Sequence, residues 1–395
     1  MAQTGQALLA DIDAMTSDAY FRRVVLRHCR DIDATAAAAT FNASIHPHDP
    51  MLLHSLREHR DAGAAFSQYF AIALQQHATA MQIMRAAFGT ATDTLDVLDF
   101  ACGHGRLLRF LALALPPSQI FASDLQPEAV DFVREAFGVR ALPSHAEPER
   151  FEPGRRFDFI WVASLFSHLP EALFRAWLAR LLALLTPRGV LAFSVRDGSL
   201  MPAPTLMPAS GFAYAAHSEN ADLATDIYGT TYADEAFVRD TFGGSGGGAR
   251  PYRRLRRALA NEQDIYVVAS DPARDLSALA KFRRGPWGWV DVRGLAAGEL
   301  RLEGWAASLD DGPVERVDIE VGGTVHACRT TIARPDVVAA FADRRLLHAG
   351  WAFRCELGRD TRNVRVAASA VTARGESMLL YTGDIGDSAH RDRDP

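Results

Sequence analysis

Paired cysteines, long apolar runs and an excess of positive charge are all missing from this chain. Cysteine occurs four times in 395 residues, at 29, 102, 328 and 355, with no Cys-x-x-Cys spacing and no metal-ligand rhythm. That pattern excludes a cysteine-based zinc module and a dense disulfide framework. Reduced thiols are expected, with a Cys328–Cys355 bridge as the alternative. No uninterrupted apolar run reaches the roughly 20 residues needed to span a bilayer, so no membrane insertion is expected. The first twenty residues lack a basic stretch followed by an apolar run, so no secretory signal is expected and a cytoplasmic location is. A net charge of −6 gives no general attraction to nucleic acid or anionic lipid. What is present is ordinary globular material: 48% hydrophobic and 23% charged residues, enough chain for two or three domains with sizeable cores.

One segment is far more informative than the rest. Leu95-Asp-Val-Leu-Asp-Phe-Ala-Cys-Gly-His-Gly-Arg106 reads as a buried strand, a glycine turn and a helix start, and Asp124 follows Gly105 by nineteen residues. Glycines at 103 and 105 permit a sharp turn and close approach of a ligand. Asp99 could receive a positively charged group, and Asp124 sits where a doubly wound sheet presents a carboxylate to ribose hydroxyls. A dinucleotide site would want Gly-x-Gly-x-x-Gly with pyrophosphate on the helix N-terminus. Here Leu108 holds the third glycine position, and the acidic residue ahead of the glycines would repel a pyrophosphate.

The segment resembles motif I of the class I S-adenosylmethionine-dependent methyltransferases, whose loop cradles a cofactor that is cationic at sulfur. Ile120-Phe-Ala-Ser-Asp124 is similar to their second strand, Phe157-Asp-Phe-Ile-Trp-Val-Ala-Ser164 to their fourth, and Leu185-Thr-Pro-Arg-Gly-Val-Leu-Ala-Phe193 to the passage into their fifth. The resemblance covers roughly residues 90 to 271, in the family's order. Ala101 stands where proline is expected in many such chains.

The fold expected is α/β: a Rossmann-like, seven-stranded, doubly wound domain with N-terminal helices and a C-terminal all-β sandwich. The boundaries read as 1–90 for the helical region, 91–271 for the methyltransferase-like domain, 272–290 for a linker, 291–383 for the sandwich and 384–395 for a disordered tail. Strands are predicted at Leu95–Ala101, Ile120–Leu125, Val139–Leu142, Phe157–Ser164 and Val190–Val195, with a sixth near Tyr252–Leu255 and an antiparallel seventh at Asp264–Ser270. A glycine-rich loop, Gly243–Gly248, lies ahead of the sixth. Short alternating strands between Leu300 and Tyr381, separated by turns such as Asp310-Asp-Gly312 and Gly322-Gly323, carry the signature of a sandwich.

Through the resemblance, the cofactor is S-adenosylmethionine and its site comprises Asp99, Ala101, Cys102, Gly103, His104, Gly105, Asp124, Leu125, Ala163 and Ser164. The adenine contact after strand three is not obvious; Ser144, His145 and Glu147 are candidates. His168, in Ser164-Leu-Phe-Ser-His-Leu-Pro170, follows strand four directly and is the candidate base, its alternative being to position the loop. Tyr228, Thr231 and Tyr232 are the acceptor-side candidates, in a segment that also holds His217, Glu219, Asp222 and Asp226; lid packing is the alternative. No metal site is expected. Tyr69 and His77 either pack against the sheet or line a pocket; Arg106 and Arg109 start a helix as solvated charges, with approach of Arg106 to the cofactor carboxylate as the alternative; and Arg250, Arg253, Arg254, Arg256 and Arg257 read as the solvated face of an edge strand, with contact to an anionic substrate or a nucleic acid phosphate as the alternative.

The function the resemblance implies is methyl transfer to a small-molecule or glycan acceptor, most readily at a hydroxyl oxygen, with no nucleic acid partner and homo-oligomerisation left open. The rival reading is a non-catalytic glycan-binding or assembly protein that uses the sandwich, with the Rossmann-like domain as scaffold; exposure of Trp305 or Trp351 would favour it. A nucleic-acid methyltransferase is disfavoured by charge and by Ala163-Ser-Leu-Phe166, where an Asn/Asp-Pro-Pro-Tyr type motif would stand.

Overall fold

The computed structural model describes residues 2–30, 32–202, 205–216, 227–243 and 250–386. His217, Glu219, Asp222 and Asp226, the glycine run 244–248 and residues 387–395 lie outside the described residues. The chain divides into two compact units, one formed by Met1–Leu74 with Arg283–Pro395 and the other by Gln75–Phe282. Residues 1–74 thus fall in one unit with the C-terminal strands, and residues 75–90 of the expected helical region fall in the other.

The chain begins with helices α1 (Ala2–Ser17), α2 (Ala19–Leu26), α3 (Ala34–Ala37), α4 (Pro50–His59) and α5 (Ala62–Phe88). Aspartates cap three of them: Asp18, Asp33 and Asp49 each accept from backbone N–H groups of the first turn. Pro50 adds the fixed φ suited to a first helical position.

The second unit holds β1 (Val97–Phe100), α6 (Leu108–Ala114), β2 (Ile120–Asp124), α7 (Pro127–Phe137), β3 (Arg140–Pro143), β4 (Phe157–Val162), α8 (Glu171–Ala183) and β5 (Leu185–Val195). It continues with β6 (Phe212–Ala215), β7 (Thr230–Ala233), α9 (Glu235–Gly243), β8 (Tyr252–Leu259) and β9 (Gln263–Ala269). The large sheet has the order β3-β2-β1-β4-β5-β9-β8, parallel from β3 to β5 and antiparallel from β5 to β9 and β9 to β8. This is the expected seven-stranded doubly wound sheet. Both faces are covered, so its strands are apolar on both sides. Val97, Phe159 and Trp161 face α6, α7 and the end of α5, whereas Leu98, Ile160 and Val162 face α8 and α9.

Three local features depart from expectation. The helix after the glycine loop begins only at Leu108, because residues 103–107 form successive turns. β5 begins at Leu185, ahead of the expected Val190, with Pro187 and Gly189 inside it; a register shift between Phe157 and Phe159 of β4 absorbs the irregular start. The β6–β7 hairpin forms a separate two-stranded sheet that the sequence does not announce.

In the first unit, β10 (Pro286–Ala296), β11 (Glu299–Ser308), β12 (Gly312–Pro313) and, across a turn, β13 (Arg316–Val321) and β14 (Thr324–Cys328) lead to α10 (Pro335–Phe341), β15 (Gly350–Glu356), β16 (Asn363–Val371) and β17 (Ser377–Gly386). They form two four-stranded sheets, β10-β11-β12 with β15 on β11, and β14-β13-β16-β17, whose apolar residues share one core around Leu302, Ile319, Trp351 and Ala368. The sandwich is as expected, but β10 begins inside the segment read as linker, at Pro286, and β17 runs to Gly386. Trp351 is 1% exposed. Trp305 is half-buried and its ring lies 5.8 Å from that of Phe341. All four cysteines are free thiols.

Candidate functional site

Parallel strands joined by helical crossovers leave their C-terminal ends as the place where loops converge. Here β1 lies between β2 and β4, with Phe100 level with Ser123 on one side and Val162 on the other. The loops after these three strands are thus neighbours, and they carry Ala101 to Gly105, Asp124 with Leu125, and Ala163 with Ser164. The sequence-predicted cofactor residues come together at one sheet edge.

Their hydrogen bonds explain the loop shape. Gly103 donates its N–H to Asp124 Oδ2 at 2.8 Å, and Gln126 N–H donates to Oδ1 at 3.0 Å. A carboxylate offers about four lone pairs, so it can still accept from hydroxyls. Ser144 N–H donates to the Asp124 carbonyl at 2.8 Å, which brings one of the adenine-contact candidates to the same edge. Leu125 is 40% exposed beside this carboxylate, an apolar face suited to a flat ligand.

The two glycines serve different ends. Gly103 has φ +53° and a Cβ there would meet nothing within 4 Å, so its left-handed backbone opens onto free space. Gly105 has φ +74° and a Cβ would run into Phe137 and Val133 of α7. Gly103 leaves open space at the loop, and Gly105 permits close packing behind it.

Ala101 has φ +57°. Proline is held near −65°, so the backbone here is closed to the residue expected in related chains. Ser164, at the end of the neighbouring strand, is also left-handed at φ +59°. Such conformations cost non-glycine residues on the order of 1 kcal/mol and persist where surrounding contacts enforce them. At Ser164 the contacts are explicit. Its N–H donates to Ser194 Oγ at 2.7 Å, Ser194 donates to Gln263 Oε1 at 2.8 Å, and Gln263 Nε2 donates to Ser164 Oγ at 2.9 Å.

Asp99 is buried on the α6 face of β1, level with Ala122 of β2 and Trp161 of β4. Burial pushes its carboxyl up to about 8, the charge of Asp124 adds to the rise, and Arg106 opposes it. Asp124 is also raised, by burial, against the pull of its backbone donors. A cationic ligand would favour the ionised form of both acids. Cys102 is buried beside both acids, and its thiol is raised well above the ordinary range by that burial. His104 is buried, its ring 5.9 Å from Phe132.

His168 is buried in the loop after β4. Its Nδ1 lies 2.7 Å from the Gly229 carbonyl and its ring stacks on Tyr228 at 4.4 Å and 9°. A carbonyl only accepts, so Nδ1 carries the proton and Nε2 of the neutral ring is the proton-accepting nitrogen. The hairpin is bound to this loop throughout: Gly229 N–H donates to His168 O at 2.7 Å and Thr231 N–H to Ser167 O at 2.8 Å. The Thr231 hydroxyl donates to Leu169 O at 2.5 Å and the residue is fully buried, so its polar group is occupied in holding the loop. Tyr232, half-buried, pairs with Ala213 across the hairpin. The acceptor-side stretch is thereby attached to the candidate base.

Some sequence readings need correction. Arg109 is buried, its guanidinium 5.4 Å from the Phe137 ring centre, and is not a solvated helix charge. Arg254 is not on a solvated face: it pairs with Asp197 at 2.5 Å, Asp264 at 2.6 Å and Glu235 at 3.0 Å, joining the loop after β5 and α9 to the β8–β9 hairpin. Tyr69 is buried with its hydroxyl donating to Asp49 at 2.7 Å, and the His77 ring lies 5.7 Å from Phe110. Ser194 and Gln263 were not singled out; the signal available was a serine inside the apolar run Leu191-Ala-Phe-Ser-Val195.

Residues 97–189 match the family described as "Methyltransferase domain". That match spans β1 into β5, the strands whose ends bring Asp99, Gly103 and Asp124 to one sheet edge. The chain is similar to the release factor glutamine methyltransferase of Chlorobaculum tepidum, 26% identical over 196 residues, covering 46% of this chain and 62% of that protein. It thus spans less than two thirds of the length of that relative. Among solved structures it is similar to the glycopeptide N-methyltransferase MtfA complexed with sinefungin, at 17% identity over 49% of this chain and 94% of that one, TM-score 0.36. It is also similar to 1,6-didemethyltoxoflavin-N1-methyltransferase of Burkholderia thailandensis, at 19% identity over 55% and 85%, TM-score 0.37. Among the described residues no helix is long and apolar enough to cross a membrane.

Proposed function

We propose that this chain transfers a methyl group from S-adenosylmethionine to a hydroxyl oxygen of a small-molecule or glycan acceptor, with His168 as the base. The observation that carries the reading is the hydrogen bond from His168 Nδ1 to Gly229 O, which fixes the tautomer whose Nε2 accepts a proton. When bound, the cofactor supplies a methyl already activated on a sulfonium. Asp99 and the Gly103–Gly105 loop hold its cationic amino-acid end, Asp124 the ribose hydroxyls, and Leu125 an apolar face. Ala163 and Ser164 close the site from the β4 side. The protein's remaining tasks are to align the acceptor, exclude water and take one proton. His168 Nε2 takes the hydroxyl proton as the oxygen acquires the methyl. Tyr228 keeps the ring in place by stacking.

The binding-module alternative loses ground here, because Trp351 lies in the sandwich core and Trp305 packs on Phe341. The test is label transfer from methyl-labelled cofactor to panels of phenols, sugars and nucleotide-sugars beside matched amines. Alkali-stable methyl ethers are the expected products; exclusive labelling of amines would overturn the hydroxyl assignment.

A further inference from the structure

The three-residue ring of Ser164, Ser194 and Gln263 has a direction, and that direction bears on ligand binding. It joins the end of β4 to β5 and to the first residue of β9, across separations of 30, 69 and 99 residues. Two orientations of the Gln263 amide would close it. In one, Oε1 accepts from Ser194 and Nε2 donates to Ser164. In the other, Nε2 would face Ser194, whose oxygen already accepts the Ser164 N–H, and the Ser194 hydrogen would have no acceptor in the ring. Ser194 is 1% exposed, so stranding its hydroxyl hydrogen is the costlier choice. Burial of Ser194 therefore selects the first orientation. In that orientation the Ser164 oxygen is an acceptor within the ring, and its own hydrogen must be donated outward. Ser164 is half-buried, beside the loop of Ala101 to Gly105.

We infer that Gln263, through Ser194 and the left-handed turn at Ser164, is a positioning residue that turns the Ser164 hydroxyl into a hydrogen-bond donor for the ligand held at this sheet edge. The inference rests on the proposed cofactor site. Gln263 touches no ligand; it sets the turn and the sense of the hydroxyl. Asp264, the next residue, is held independently by Arg254 and by the Arg257 N–H, so the strand start does not depend on the ring.

The test is calorimetric titration with S-adenosylhomocysteine of the wild type, Gln263→Ala, Gln263→Glu, Ser164→Gly and the double variant Ser164→Gly/Gln263→Ala, with thermal melts of each. Gln263→Glu can close the ring as an acceptor only, which turns the Ser164 hydrogen inward. Ser164→Gly keeps the left-handed turn without strain and lacks the hydroxyl. Both Gln263 variants are expected to weaken binding by roughly 5- to 20-fold, the loss of one hydrogen bond, and Gln263→Ala to add nothing further in the Ser164→Gly background. Wild-type affinity in Gln263→Glu, or fully additive losses in the double variant, would overturn the inference while leaving the cofactor site standing. No binding by the wild type would overturn the cofactor site itself.

Discussion

Gly103 and Asp124 are joined by a backbone-to-carboxylate hydrogen bond of 2.8 Å that fastens the loop after β1 to the end of β2. The bond uses the Gly103 amide, so a side chain at 103 need not break it. At Gly105 the opposite holds, since a methyl group would strike Phe137 and Val133. Gly103→Ala is expected to cost about 1 kcal/mol in stability, the strain of a left-handed alanine, but to weaken cofactor binding at least tenfold by filling the open space at the loop. Gly105→Ala is expected to cost more, about 2–4 kcal/mol, because overpacking adds to strain. Urea unfolding with cofactor titration separates the two; equal stability losses would contradict the division of roles.

Asp99 makes both stability and binding depend on pH. Its folded carboxyl lies at about 8, above the 3.8 of the free side chain. The native state therefore holds a proton that the unfolded chain has released, and this group's contribution to stability falls as pH rises from about 4 to about 8. A cationic cofactor favours the ionised form. Binding of S-adenosylmethionine near pH 7 should release a fraction of a proton and tighten as pH approaches 8. Titration in buffers of different ionisation enthalpy measures this release, and Asp99→Asn should abolish it.

Arg254 is flanked by three carboxylates and its side chain is 11% exposed. Replacing it with methionine strands Asp264, 4% exposed, and Asp197 without a counter-charge. A loss of about 3 kcal/mol is expected, against no more than about 0.5 kcal/mol for Arg253→Ala on the exposed side of β8. Chemical denaturation of both variants checks the contrast.

His168→Gln retains an amide able to donate toward Gly229 but cannot accept a proton as a base does. With a hydroxyl acceptor, kcat is expected to fall by roughly 10²- to 10⁴-fold, while affinity for S-adenosylhomocysteine changes little. A wild-type rate would assign His168 to holding the hairpin alone.

Much of this site was legible because its signals are local. The strands β1, β2, β4 and β5 are short apolar runs ahead of glycine or polar turns, and the placement of Asp99, Gly103 and Asp124 follows from strand order. The illegible parts depend on distant partners. The hairpin strands β6 and β7 are four residues each, and what holds β7 is a set of bonds to residues 167–169. β10 was obscured by Pro286, Gly288 and Gly294, residues that read as loop. Arg254 looked like one of several surface arginines because its three acidic partners come from separate elements. The left-handed turn at Ala101, φ +57°, was not legible because side-chain identity says little about a backbone set by its neighbours.

The most direct test is calorimetric titration of the intact chain with S-adenosylmethionine, for the wild type and Asp124→Ala. The wild type is expected to bind one equivalent, and Asp124→Ala to bind roughly 10- to 100-fold more weakly, the loss of charge-assisted hydrogen bonds to hydroxyls. No heat of binding from the folded wild type, or equal affinity in the two proteins, would contradict the cofactor site assigned to this sheet edge.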